Sequence, residues 1–303
     1  MMLTRRRLIA ISAVLAVLPA VARANPAAAR LWTGQALGAR ASIRLVHPDG
    51  EAVAARVMAE IDRLENILSL YRPASALSRL NREGHLSAPP FELLECLSLA
   101  GAVHHASGGL FDPTVQPLWA LWAQAAADGT RPDAGALERL RRKTGWDKVE
   151  MDAAAITLRA GTALTLNGIG QGYVADRVAA LLEAEGLTDI LIDTGELRAL
   201  GGRPEGGGWP VRLETGERLG LRQRALATSA ALGTTFDQAG RDGHILHPKT
   251  GMPAPARWRA VSISAPSAAI ADALATAACL MPDRDAILAL AGRFDGARLE
   301  NSL

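Results

Sequence analysis

Residues 270–281, IADALATAACLM, set a single acid, Asp272, into a run that is otherwise apolar or small. A helix with so little polar surface is made for burial, so the rest of the chain has to supply layers that cover it. Asp272 and Thr276 stand four apart, and a helix carries such a pair on one face, one turn apart. Two readings follow. Asp272 is a satisfied polar residue near a helix start, as polar residues in helices commonly are, or the carboxylate and hydroxyl together hold a cation.

The flanking pattern indicates the layers. RAVSISA (259–265) reads as a strand leading directly into the Asp272 helix, and ASIRLV (41–46) alternates as a strand does. Residues 51–68 carry apolar positions at helical spacing, and 91–107 and 134–144 also read as helices. Arg72-Pro73 breaks the chain after the first helix, and LFDPTVQPLWALW, with two prolines, is too irregular for one regular element. Short strands are expected at 147–151 and 155–158. LTLNGIGQGYVADRVAALLEAEGL predicts a strand, a Gly-rich turn and a helix from about Tyr173 to Glu185. DILIDTGELRALGG predicts two strands around an Asp-Thr-Gly turn, and WPVRLE and ALATSA add two more. Strands and helices alternate without a regular βαβ period and without a repeat. The fold class expected is α+β, with mixed sheets and packed helices, in one domain over 25–303.

Residues 1–24 stand apart. Three arginines (Arg5, Arg6, Arg7), an apolar run from Leu8 to Leu18 and the ending Ala22-Arg23-Ala24 form a secretory signal with an A-x-A cleavage site. Thr4-Arg5-Arg6-Arg7-Leu8-Ile9 also fits a twin-arginine export pattern. The segment holds four arginines and no acid, so its removal takes the formal net charge from +2 to −2. A nearly neutral, mixed-charge surface speaks against nucleic-acid binding. No further apolar run reaches membrane-spanning length, and the expected location is the periplasm. Cys96 and Cys279, the two cysteines, each lie in an apolar helical stretch and can pair or remain buried thiols.

Taken singly, the other polar features are weak. Gly168, Gly170 and Gly172 are spaced by two and do not match G-x-G-x-x-G, although a glycine turn opening a helix offers N–H groups to an anion. Asp112 before Pro113-Thr114 suits an Asx-type turn. His244 and His247 are flanked by Gly243, Pro248 and Gly251, which favours a loop over a shared helical metal site; one of them can serve as a general base. His104 and His105 are adjacent and point apart.

The order of these segments is specific. SLYRPASALSRLN, GLFDPTVQPLWALW, NGIGQGYVADRV, DTGELRALG, ATSAALGTTF, HILHPKTGMP and ADALATA, from about Leu37 to Leu280, resemble the FAD:protein FMN transferase (ApbE) family. The resemblance implies an exported enzyme that binds FAD with Mg²⁺, attaches FMN to a Thr or Ser hydroxyl of an acceptor flavoprotein and releases AMP. It implies that Asp272, Thr276 and the backbone carbonyl of Gly168 hold the Mg²⁺. It makes His244 the base for the hydroxyl, and it places Tyr71, Leu110, Phe111, Asp112 and Leu246 along the flavin nucleotide. The acceptor would be a flavoprotein whose flavin domain faces the periplasm. Mg²⁺ takes hard oxygen ligands and leaves positions for phosphate oxygens, which suits splitting a diphosphate.

The chain also departs from the family pattern. Where many members carry an Asp and a Lys around the glycine turn, it has Thr165 and Gln171; one acid and one base vanish together, and both contacts to FAD weaken. His247 replaces an Asp, and Glu196 stands in place of a second turn glycine. Such changes resemble a subgroup that serves nitrous-oxide respiration. They leave two other readings open: a non-catalytic FAD-binding or maturation protein, and an FAD pyrophosphatase that uses water instead of an acceptor.

Overall fold

Val53, Val57, Ile61, Leu64 and Leu68 line one face of the longest helix and all are buried, as their spacing requires. The structure is a computed structural model describing residues 30–303, so the export signal read over 1–24 lies outside the described residues. In chain order the first half runs β1 (Arg30–Ala36), β2 (Ala39–Leu45), α1 (Gly50–Leu68), α2 (Ala76–Glu83), β3 (His85–Ser87), α3 (Phe91–Ala106), α4 (Gln116–Ala127), α5 (Ala134–Arg141), β4 (Val149–Met151) and β5 (Ala155–Leu158). The second half runs α6 (Gly170–Ala184), β6 (Ile190–Asp193), β7 (Leu197–Leu200), β8 (Trp209–Arg212), β9 (Arg218–Leu221), β10 (Ala225–Ser229), β11 (Val261–Ala265), α7 (Ala268–Ala278), α8 (Arg284–Ala291) and β12 (Arg298–Ser302).

Seven strands form the main sheet in the order β1-β2-β6-β7-β10-β11-β12, beside a three-stranded sheet, β3-β5-β4, and the β8-β9 ribbon. The class is α+β, as expected, but the sheets are not mixed: the pairings within all three are antiparallel. Helices α1, α6 and α7 lie on the main sheet, and α3 packs over α7 and α1. Helix α7 is thus covered by β10 and β11 below, α6 beside it and α3 above. That explains its composition: of its residues only Ile270 and Thr276 escape full burial.

Helices α6 and α7 touch backbone to backbone. A methyl group on Gly172 would lie 2.2 Å from the Ala268 carbonyl oxygen, so only glycine fits. One turn further along α6, Asp176 caps α7: its carboxylate accepts the N–H groups of Ala268 (2.9 Å) and Ala269 (3.0 Å) and the Ser267 hydroxyl (2.7 Å). Arg198 of β7 donates to the same carboxylate at 3.2 Å and ties the helix pair to the sheet.

Several expectations need correction. Helix α6 begins at Gly170, three residues earlier than expected, because the first-turn N–H groups need no intrahelical partner and Gly172 is demanded by packing. Residues 164–166 are not a strand. The Asn81 side chain replaces a ladder partner there, accepting the Leu164 N–H (2.7 Å) and donating to its carbonyl (2.8 Å). LFDPTVQPLWALW does contain a regular helix, α4, since Pro117 falls in its first turn where proline is tolerated. Helix α2 was not expected; Ser75 caps it and Gly84, with φ +71°, closes it.

The Gly172–Ala268 contact gives a direct test. Gly172→Ala meets backbone atoms that cannot turn aside, and a loss of at least about 3 kcal/mol in urea unfolding is expected. Wild-type stability would mean that the helices do not touch there.

Candidate functional site

Asp272, 3% exposed, lies mid-way along α7 with Thr276 one turn beyond it. Its Oδ2 accepts the Gly172 N–H at 3.3 Å, and burial pushes its carboxyl up to about 7. The Thr276 hydroxyl stands 3.4 Å from that of Ser229, at the end of β10. The glycine turn presses on the same point: a methyl group on Gly168 would lie 2.9 Å from Thr276 Oγ1 and 3.3 Å from the Phe111 ring. The three residues expected to hold a metal therefore share one cradle, two of them on α7 and the third on the turn that opens α6.

A second acid faces this cradle. Glu196, in the turn between β6 and β7, is 9% exposed, and its Oε2 accepts the Thr228 N–H at 3.3 Å. Burial holds its carboxyl well above the ordinary carboxylate range, and the Asp272 charge adds to the shift. Its place in the sequence marked it only as an acid in a turn that ordinarily carries glycine; nothing local ties it to Asp272. Among the described residues no group of three His, Cys, Asp or Glu side chains forms a metal cluster. A cation here would draw on two carboxylates, a hydroxyl and a backbone carbonyl, all hard oxygens that fit Mg²⁺.

The flavin-site candidates fall around the same turn, with one exception. Phe111 is buried against Gly168, and its carbonyl meets His104 Nδ1 at 2.9 Å; Leu110 packs on the main core beside it. Asp112 makes the expected Asx turn, accepting the Thr114 N–H (2.8 Å) and hydroxyl (2.6 Å), and burial raises its carboxyl. It also borders a cavity of about 580 Å³ lined by His104, His105, Thr144, Trp146 and Lys249. The Thr165 N–H donates to the Pro113 carbonyl at 2.8 Å, and its hydroxyl accepts the Asn167 N–H at 3.2 Å. Tyr71, half-exposed, brings its phenol to the Asn167 side chain. The Gln171 side chain lies against Gly195, and its carbonyl accepts the Thr194 hydroxyl at 2.8 Å. Leu246 is the exception: it is buried in a separate cluster with Leu118 and Trp122.

His244 is carried by an irregular loop, as its glycine and proline neighbours indicated. A methyl group on Gly243 would lie 2.0 Å from the Ala231 carbonyl oxygen, so the loop is pressed against the chain two residues beyond Ser229. Arg131 secures it through an ion pair to Asp242, Nε–Oδ2 2.7 Å. The His244 Nδ1 lies 3.0 Å from the Thr234 carbonyl, which fixes the tautomer with the proton on Nδ1 and the lone pair on Nε2. Burial lowers its pKa, so the imidazole is neutral near pH 7. His104 and His105, expected to point apart, instead meet edge to face with ring centroids 5.4 Å apart, although each bonds a different carbonyl. Cys96 and Cys279 are both buried free thiols.

This arrangement has known counterparts. The model of the ApbE family matches residues 37–298. The chain belongs to the ApbE family. A FAD:protein FMN transferase of Treponema pallidum is 31% identical over 78% of this chain and 73% of its own length. The apo crystal structure of the flavinyl transferase ApbE of Pseudomonas stutzeri superposes with a TM-score of 0.77 at 29% identity, covering 88% of this chain and 89% of that one. The ApbE protein of Thermotoga maritima gives a TM-score of 0.79 at 25% identity, with 89% and 93% covered.

Within this ApbE chain the cradle is open to test by one methyl group. Gly168→Ala meets side-chain atoms of Thr276 and Phe111 that can shift, so a cost of about 1–2 kcal/mol is expected, smaller than that at Gly172. Urea unfolding of the two variants side by side reads the difference; an equal loss would mean that the turn is as tightly held as the helix pair.

Proposed function

We propose that this chain is an exported FAD:protein FMN transferase that moves FMN from FAD to a Thr or Ser hydroxyl of a target flavoprotein and releases AMP. The observation that carries the reading is the meeting of Gly168, Asp272 and Thr276 in one cradle beside the start of α6. Bound there, Mg²⁺ would neutralise charge on the diphosphate of FAD. Asp272 and Thr276 would hold the ion with side-chain oxygens, and Gly168 would offer its carbonyl. His244 takes the hydroxyl proton at Nε2 as the alcohol oxygen bonds to the FMN phosphorus. The bond from that phosphorus to the AMP oxygen breaks, and AMP leaves with the electron pair. Tyr71, Phe111 and Asp112 border the turn and orient the nucleotide.

Purified protein incubated with FAD, MgCl₂ and a periplasm-facing flavin domain is expected to add one FMN to the acceptor, read as a mass shift, with an equal yield of AMP. Chelation should abolish the transfer and MgCl₂ restore it. His244→Ala is expected to lower kcat by about 10²–10⁴-fold, the usual share of a general base. Because burial lowers the His244 pKa, kcat/KM should stay level from pH 8 down past the ordinary imidazole value of about 6.5 and fall only below it. An acid limb above pH 7, or AMP release without any acceptor, would count against the assignment.

Export is part of the proposal and rests on residues 1–24. The mature protein recovered from a periplasmic fraction is expected to begin at Asn25. A cytoplasmic protein retaining Arg5–Arg7 would rule export out.

A further inference from the structure

The turn between β6 and β7 is built to hold an acid against α7. Gly195, with φ +105°, lies under the Gln171 side chain, and Thr194 bonds the Gln171 carbonyl, so the turn is fastened to the first turn of α6. From the other side, the Thr228 N–H of β10 fixes Glu196 Oε2, and the next residue, Ser229, meets Thr276. Glu196 is thereby confined beside α7 with 9% of its surface exposed, and Asp272 retains 3%. Each acid receives one backbone hydrogen bond. No cationic side chain among the described residues forms an ion pair with either. Buried charges are ordinarily paired or bound to metal, and two buried acids without a counter-ion, one on the turn that Thr228 of β10 bonds and one on the helix that Ser229 of β10 meets, are a costly arrangement.

We propose that Glu196 is a second carboxylate of the cation site, completing an all-oxygen cradle with Asp272, Thr276 and the Gly168 carbonyl. The inference rests on the reading of Asp272 and Thr276 as the cation site. It adds a ligand from the main sheet to ligands that all come from the α6–α7 pair, so a bound ion ties the helix layer to the β6–β7 turn. A second negative ligand at close range strengthens the hold on a divalent ion and favours Mg²⁺ or Mn²⁺ over soft metals.

The test uses the full chain freed of metal with a chelator and titrated with MnCl₂ alone, free Mn²⁺ being read by electron paramagnetic resonance. Glu196→Gln keeps the size of the side chain and its acceptor for Thr228 but removes the charge. It is expected to weaken Mn²⁺ binding at least 10-fold while leaving the metal-free unfolding midpoint at the wild-type value, because the amide keeps the side chain's shape and its acceptor for the Thr228 N–H. A merely structural Glu196 would not lose affinity at unchanged stability. Wild-type affinity in E196Q, or a lower metal-free midpoint, overturns the inference. Asp272→Asn separates the two levels: binding lost in D272N but kept in E196Q leaves the cation site standing without Glu196. Binding unchanged in both removes the site itself. Should E196Q prove insoluble, Glu196→Asp, which withdraws the charge by one methylene, is expected to weaken binding several-fold, and an unchanged affinity there overturns the inference as well.

Discussion

The contact between α6 and α7 governs the rest of the molecule. At Gly172 the two backbones are as close as they can be, and the N–H of that residue reaches Asp272. Four residues on, Asp176 binds the open N-terminus of α7. Two attachments one turn apart fix both the sliding and the rotation of one helix on the other, which a single apolar contact would leave free. Since Gly168 precedes α6 and Thr276 follows Asp272 on α7, fixing the helix pair also fixes the cradle. Arg198 extends the constraint to the sheet, because it donates to the carboxylate that caps α7.

That arrangement carries a built-in cost. Alanines dominate α7 and allow neighbouring layers to close around it, and this closeness strips water from Asp272 and Glu196. A well-packed apolar residue at either position would stabilise the fold more than an unpaired buried acid does. Sites that bind ions or transition states commonly keep such unfavourable groups, and the surrounding packing offsets them. Here the offset comes from the main core, to which α1, α3, α6 and α7 all contribute.

What the sequence disclosed follows from the range of the interactions involved. The buried stripe of α1 and the nearly polar-free surface of α7 are periodic features, visible within a dozen residues. The ordered glycine turn, His244 loop and Asp272 helix carried the family resemblance, and the structure brings Gly168, Asp272 and Thr276 together. Elements that depend on distant partners were not legible. Leu164 reads as strand because its environment is a sheet-like pair of hydrogen bonds, yet the partner is a side chain, Asn81, from α2. Glu196 looked like a departure in a turn; its relation to Asp272 exists only once β7, β10 and α7 are assembled. Leu246 carries an apolar side chain that fits a binding surface or a core equally well, and in the fold it is packed among Leu118 and Trp122.

The two departures at the glycine turn take a different meaning in three dimensions. Thr165 and Gln171 stand where the family resemblance implies a charged pair. Both are structural fasteners in the fold: Thr165 ties the turn to Pro113 and closes it on Asn167, while Gln171 ties it to Thr194 and covers Gly195. Each fastener except the Gln171 side chain itself uses backbone or hydroxyl groups, so the geometry of the turn does not depend on a carboxylate or an ammonium at these positions.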